Sequence, residues 1–352
     1  MPRIINFAQA INEAFVQAME IDKNVICYGL GVDDPKGVFG TTIGLQTKYG
    51  KERVFDIPAS ENAMTGIAIG ASMAGIRPVM THQRLDFSLL SLDQIINNAA
   101  KFHYMFGGQH KIPITIRMIV GRGWGQGPTH SQNLQALFAH IPGLKVVMPT
   151  TPYDAKGLLL SSIFDDNPVI FIEHRWLHNM EGDVPENDYR IEIGKSSQIN
   201  EGNDITIVSM SYMTVEAIHA VEILKDHDIN CDLIDLRSVK PIDWSSIHKS
   251  IKKTGRLLVL DTGVTEGSIA GEIIANVCEN CWNDLKEQPH RICLPGTPTP
   301  TSYSLTKAYY KRSETIINTV SKMMNKDLDG YVLVDRKDLP HDVPGDWFKG
   351  PF

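Results

Sequence analysis

Glu61, His130 and the glycine-rich run at residues 121–132 are the features of this chain whose residue types could do chemistry. Glu61 lies in the string DIPASEN, at the head of ENAMTGIAIGASMAGI. That spacing predicts a helix, with Ser60 as its N-cap. The helix dipole favours a carboxylate in a first turn, so the position alone is ordinary. A carboxylate held there and partly desolvated could also move protons. His130 closes the string GRGWGQGPTHSQ, and an imidazole can give or take a proton near neutral pH. Gly121, Gly123, Gly125 and Gly127 alternate in that string. It fails the dinucleotide fingerprint, because Gln126 stands where glycine is needed. It also fails the phosphate-loop pattern, because no Gly-Lys-Ser/Thr follows. Two readings stay open. The run is a plain surface loop, or it is a ligand-side loop at the carboxyl end of a strand, where open α/β sheets bind ligands. Cys278 and Cys281 form a C-x-x-C inside a segment of helical periodicity. No second pair follows at zinc spacing, so they read as structural.

These residues need elements to hold them. NVICYG, RVFDIP, PVMTHQ, PITIRMIVG, KVVMP and PVIFIEH predict strands, and helical spacing fills residues 5–20, 61–76 and 88–106. A polar stretch rich in turn formers interrupts the alternation, which then resumes through DITIVSMS, CDLIDLR and RLLVLDTG. The pattern predicts an α/β protein of two domains on mainly parallel sheets. We place the first domain at 1–185, a linker at 186–203, the second domain at 204–325 and an extended tail at 326–352, with Trp347 and Phe352 as its packing residues. Gly66, Gly70 and Ala74 recur every four residues in the helix after Glu61. Each glycine costs about 1 kcal/mol of helix stability against alanine, so a closely packed neighbour must compensate.

Composition narrows the function classes. The 352 residues carry 34 Lys+Arg against 41 Asp+Glu, with no basic stripe, which argues against nucleic acid as a partner. No apolar run approaches the roughly 18 residues of a membrane span. The first residues, MPRIINFAQAINEAF, include Glu13 and read as an amphipathic helix rather than a signal peptide. Five cysteines without an export signal predict reduced thiols and a cytoplasmic location.

The strings VFDIPASENAMTGIAIGASMAGIRPV, DFSLLSLDQIINNAAKFHYMFGG and THSQNLQALFAHIPGLKVVMPTTPYDAKGLL, with LIDLRSVKPID further on, resemble one family in order across roughly residues 3–320. It is the β subunit of the thiamine-diphosphate-dependent decarboxylating component of 2-oxo acid dehydrogenase complexes. The resemblance implies a pyrimidine-binding domain followed by a transketolase C-terminal-like domain. It also implies oxidative decarboxylation of a 2-oxo acid, or cleavage of acetoin, with acyl transfer to a lipoyl-bearing dihydrolipoyl acyltransferase. Glu61 matches the glutamate that hydrogen-bonds the aminopyrimidine ring and favours its imino tautomer. Phe87 matches the aromatic that stacks on that ring, Ala59 falls beside the cofactor, and His130 matches the histidine facing the substrate or lipoyl group. No Gly-Asp-Gly occurs, the nearest string being Gly182-Asp183-Val184. The diphosphate and its Mg2+ would therefore belong to an α subunit, in a heterotetramer of two α and two β chains with a β–β contact. A structural potassium ion would fall on the carbonyls of Ile114, Ser162, Ile163, Asp165 and Asn167.

Two places depart from the family pattern. Leu30 stands where a glutamate usually joins an acidic network between active sites, and leucine cannot relay protons. In THQRLDF, His82, Arg84 and Asp86 are more polar than in pyruvate enzymes. Arg84 and Asp86 could simply pair. Alternatively, Arg84 and His82 contact a more polar or anionic substrate. Two other functions stay open: a split transketolase-like ketol transferase, and a non-catalytic scaffold subunit.

Overall fold

Short β-branched runs that end at Gly or Pro, each followed by a helical return, build parallel sheets. The computed structural model describes residues 3–122, 126–328, 330, 331, 343 and 345. Its first half supplies β1 (Ile4–Asn6), β2 (Val25–Tyr28), β3 (Val54–Phe55), β4 (Arg77–His82), β5 (Thr115–Val120), β6 (Lys145–Val147), β7 (Val169–His174) and β8 (Glu181–Asp183). The second half supplies β9 (Ser197–Asn200), β10 (Ile205–Ser209), β11 (Cys231–Asp235), β12 (Ser238–Lys240), β13 (Leu257–Val264) and β14 (His290–Leu294).

A seven-stranded sheet runs in the order β12-β6-β7-β5-β4-β2-β3. It is parallel except where β12 meets β6. All six residues of β5 and of β7 are buried, as strands covered by helices on both faces must be. A five-stranded sheet follows in the order β14-β13-β10-β11-β9, parallel except for β9. β1 and β8 form a small antiparallel pair. The sheets are not independent. β12 lies beyond β11 in the chain yet pairs with β6 of the first sheet. One apolar core joins Met118 and Val146 of the first sheet to Val208 and Val259 of the second.

Residues 88–106, expected as one helix, form three pieces: a 3₁₀ turn over Leu85–Ser91, a π-helical stretch over Gln94–Ala99 and an α-helix over Ala100–Met105. Ser88 and Ser91 give the reason. Their hydroxyls bond the carbonyls of Leu85 and Ser88, three residues back, at 2.7 and 2.9 Å, which favours the tighter 3₁₀ turn. The π-helical stretch packs Gln94 against the helix Glu61–Met73. There, a Cβ on Gly66 would lie 3.2 Å from the Gln94 amide oxygen. Gly123, Gly125, Trp347 and Phe352 lie outside the described residues. Among the described residues no helix is long and apolar enough to cross a membrane.

Candidate active site at the carboxyl edge of the first sheet

The turn after β3 delivers Glu61. Asp56 fixes that turn by accepting from the backbone N–H of Gly31 and Ile57, at 3.0 and 2.8 Å. Ser60 is the N-cap by position, but its side chain makes no capping bond. Glu61 opens the helix and is 8% exposed, and among the described residues nothing donates to its carboxylate. Ala59 lies exposed just before it. Leu30, on the loop after β2, packs against the main apolar core, and its carbonyl accepts from Gln83 Nε2 at 2.9 Å.

Phe87, on the 3₁₀ turn, meets His130 edge-on, with ring centroids 5.4 Å apart. The sequence places them 43 positions apart (130 − 87), and the fold brings them together. His130 Nδ1 lies 3.0 Å from Thr129 Oγ1. Asp86 Oδ1 accepts from Gln132 Nε2 at 2.8 Å, which clips the turn to the glycine-rich run. Gly121 is required at the centre of this packing. A Cβ there would sit 2.1 Å from the His130 carbonyl oxygen and 2.9 Å from Arg84 Nε.

Arg84 does not pair with Asp86. Its Nε and Nη2 donate to Gln126 Oε1 at 3.1 and 3.0 Å, and Nη1 donates to the Gln83 carbonyl at 2.7 Å. Its guanidinium lies 4.8 Å from the Phe39 ring centroid, and that of Arg175 lies 4.7 Å from the same ring. Burial lowers the Arg84 pKa, with the Asp86 charge opposing. His82 is fully enclosed at the end of β4, and burial pushes its pKa down to about 4, so it is neutral at pH 7. In this structure His82 and Arg84 are both buried against neighbours within the chain. His82 is sealed in the sheet, and the donors of Arg84 hold the glycine-rich run.

The residues expected to ligate potassium gather at the carboxyl end of the helix Pro152–Ile163 and beside β5. Arg77 Nη1 already donates to the carbonyls of Ile163 and Asp165, at 3.2 and 3.0 Å. The Ile114 carbonyl accepts from Val169 N at 3.0 Å. Ser162 Oγ donates to the Leu158 carbonyl at 2.7 Å, and Asn167 N donates to Asp165 Oδ1 at 2.8 Å. Each carbonyl keeps a second lone pair, while the Arg77 guanidinium sets a positive charge against two of them.

Sequence reasoning passed over Phe39, Arg122, Gln126 and Arg175. Their partners come from distant segments, and no local spacing marks them. Gln126 was read only as the residue that breaks a fingerprint. Gln135 was also missed. Its Nε2 crosses the seam between the sheets to Asp261 Oδ1 at 2.6 Å.

The fold pairs an aromatic ring, Phe87, with an imidazole, His130, and the helix that Glu61 opens packs on the turn that carries Phe87. Such a set can exchange a proton with a heteroaromatic ring and stack against it. Among the described residues no group of three His, Cys, Asp or Glu is arranged to hold a metal ion. The pattern described as "Transketolase, pyrimidine binding domain" matches residues 4–180, and "Transketolase, C-terminal domain" matches residues 194–316. Acetoin:2,6-dichlorophenolindophenol oxidoreductase subunit beta of Cupriavidus necator is 41% identical over 334 residues, covering 92% of this chain and 98% of the relative. Its counterpart in Bacillus subtilis is 39% identical, covering 93% and 99%. Pyruvate dehydrogenase E1 component subunit beta of Porphyra purpurea is 38% identical, covering 92% and 98%. A solved structure titled "Split gene transketolase, inactive beta4 tetramer" superposes with a TM-score of 0.74 at 20% identity, over 91% of this chain and 98% of that one. At that identity the likeness is one of fold.

Proposed function

The chain belongs to the transketolase-like family of β subunits of thiamine-diphosphate-dependent acetoin and 2-oxo acid dehydrogenases, and on that premise we propose that it carries the pyrimidine half of a shared thiamine diphosphate site. The observation that carries this reading is Glu61. A carboxylate 8% exposed with no donor is costly to bury unless something completes its hydrogen bonds. An aminopyrimidine ring nitrogen would do so.

Bound thiamine diphosphate supplies a stabilised carbanion at its thiazolium C2. Glu61 would hydrogen-bond the aminopyrimidine ring of the bound cofactor and exchange a proton with it. The first-turn position sets the favourable end of the helix dipole beside the carboxylate. Phe87 would stack on the pyrimidine, and Ala59, small and exposed, would leave room for that ring. His130, braced by Thr129 and by the edge of Phe87, holds the proton exchanged with the substrate oxygen. Arg84 supports this arrangement by clamping Gln126.

An α-type chain supplies the diphosphate-binding surface and Mg2+, in an assembly of two α and two β chains with a β–β contact. The reaction is oxidative cleavage of acetoin or of a 2-oxo acid such as pyruvate or 2-oxoisovalerate. The acyl group then passes to a lipoyl-bearing acyltransferase. The relatives named for these three substrates support the choice. Co-expression with the neighbouring α-type chain tests it. Glu61→Gln should lower turnover by at least about 100-fold while cofactor binding and assembly persist. A Glu61→Gln enzyme with full activity would refute the mechanism.

We also propose a potassium ion at the turn formed by Ile114, Ser162, Ile163, Asp165 and Asn167, sharing its carbonyls with Arg77. Potassium should raise the thermal midpoint saturably above sodium or choline at equal ionic strength. Identical midpoints in the three salts would mean that Arg77 alone serves the turn.

A further inference from the structure

Arg122 follows Gly121 at the carboxyl end of β5 and is 4% exposed. Its guanidinium lies 3.7 Å from the Trp176 ring centroid, 3.9 Å from that of Tyr310 and 4.8 Å from that of Tyr212. Such ring contacts hold the guanidinium plane, so its hydrogen bonds must leave through the edge. On that edge, Nε and Nη2 have no hydrogen-bond partner among the described residues. These two nitrogens form the side-on fork of arginine, whose parallel N–H groups match the two oxygens of a carboxylate.

Glu216, whose charge is felt at Arg122, and Asp261, which lines the same cavity, both accept hydrogen bonds from other groups. Glu216 accepts from the Tyr212 hydroxyl and from Ser313 N and Oγ. Asp261 accepts from Gly263 N, Ala270 N and Gln135 Nε2. Burial lowers the Arg122 pKa to about 10, with the Tyr212, Tyr310 and Glu216 charges opposing, so the side chain stays charged at neutral pH.

Arg122 lines a small cavity of about 20 Å³, with Asn133, His174, Tyr310 and Lys311. That is room for one small group beside the fork. The cavity collects the carboxyl ends of strands from both sheets. Arg122 follows β5, His174 ends β7, Asp261 and Thr262 lie on β13, and Leu294 ends β14. Strand carboxyl ends are where open α/β sheets place ligands.

We propose that this cavity is a carboxylate-binding site at the seam between the two sheets, with Arg122 gripping the anion side-on and Lys311 adding a second positive charge. The carboxylate is that of a free small acid or the end of a 2-oxo acid. None of its residues holds thiamine diphosphate, so the free-acid arm stands apart from that reading, and the 2-oxo acid arm rests on it.

Thermal midpoints of the full-length chain would be measured in formate, acetate and pyruvate against chloride at fixed ionic strength. The expected result is a saturable rise of about 2–4 °C, lost in Arg122→Lys, which keeps the charge and removes the fork. A rise with formate and acetate assigns the site to a free small acid. A rise with pyruvate alone assigns it to the substrate's carboxylate. Either supports the site. A crystal grown in formate should show planar density across Nε and Nη2, a readout that needs no variant to fold. The proposal is overturned by an unchanged midpoint in all three acids, by a rise that survives in Arg122→Lys, or by a lone water in the fork.

Discussion

Glu61 and Glu173 are both buried carboxylates on the first domain, but their surroundings prepare them for different work. Glu173 sits fully enclosed on β7 and is ion-paired with Arg117, with His178 Nε2 at 3.6 Å. Burial pushes its pKa up, but the Arg117 charge and the His178 contact outweigh it and hold the carboxyl below the usual range. That carboxylate is committed to structure. Glu61 has no such partner. The distinction was invisible in the sequence, where each is a lone Glu beside an apolar run. Only the family resemblance singled out Glu61. Arg84 shows the converse. Its residue type suggested an anionic substrate, yet its fork holds the neutral Gln126 amide oxygen, and we propose that it positions a loop. Arg84→Ala should therefore lower kcat/KM by a similar factor, about 10-fold, for acetoin, pyruvate and 2-oxoisovalerate. A change in the ranking of those substrates would return Arg84 to the substrate-binding surface.

At the scale of elements, what could be read ahead followed local periodicity. The strands β4, β5, β7, β10 and β13 lie where continuous apolar runs put them, since a strand buried on both faces needs no partner to be recognised. The break in residues 88–106 was not legible. It depends on serine hydroxyls back-bonding and on Gln94 meeting Gly66 across a helix pair. β12 was missed because a three-residue strand pairing antiparallel with a distant edge leaves no period.

The junction between β11 and β12 carries a titration of its own. Asp235, at the end of β11, is completely enclosed. Burial, then the neighbouring Asp154 charge, pushes its pKa up to about 7. Its Oδ2 has no hydrogen-bond partner, which suits a protonated carboxyl better than an ion. The folded pKa lies above the unfolded value of about 3.9. The native state thus binds the extra proton, and this contribution to stability is complete below about pH 4 and fades as pH rises through about 7. Asp235→Asn cannot titrate. Between pH 5.5 and 8.5 its urea-unfolding stability should gain about 1–2 kcal/mol on the wild type. Parallel curves for the two proteins would mean that Asp235 is ionised throughout.

The whole molecule is one body inside and unfinished outside. β12 adds to the first sheet, Gln135 reaches Asp261, and a shared apolar core runs beneath both. The outer face of the helix Glu61–Met73 has no such complement. The sequence predicted a close neighbour for Gly66, Gly70 and Ala74. Among the described residues Gly66 meets the side chain of Gln94, whereas a Cβ on Gly70 would meet nothing within 4 Å. Ile67 on the same helix is 61% exposed, and Leu90 on the adjoining 3₁₀ turn is 66% exposed. Exposed apolar side chains next to a helix weakened by glycines mark a surface that another chain covers. The helix also presents Glu61 at its first turn, so a chain seated there would meet the half-built site directly. Ile67→Lys tests this, because the side chain is solvent-exposed and the change should shift the chain's own stability by no more than about 0.5 kcal/mol. A lysine pressed into an apolar interface would be far more costly. Light scattering on the co-expressed α-type and mutant chains should then show the heteromer lost and this chain eluting alone. A heteromer of unchanged mass and affinity would place the partner on another face and leave the open side of Gly70 without a purpose.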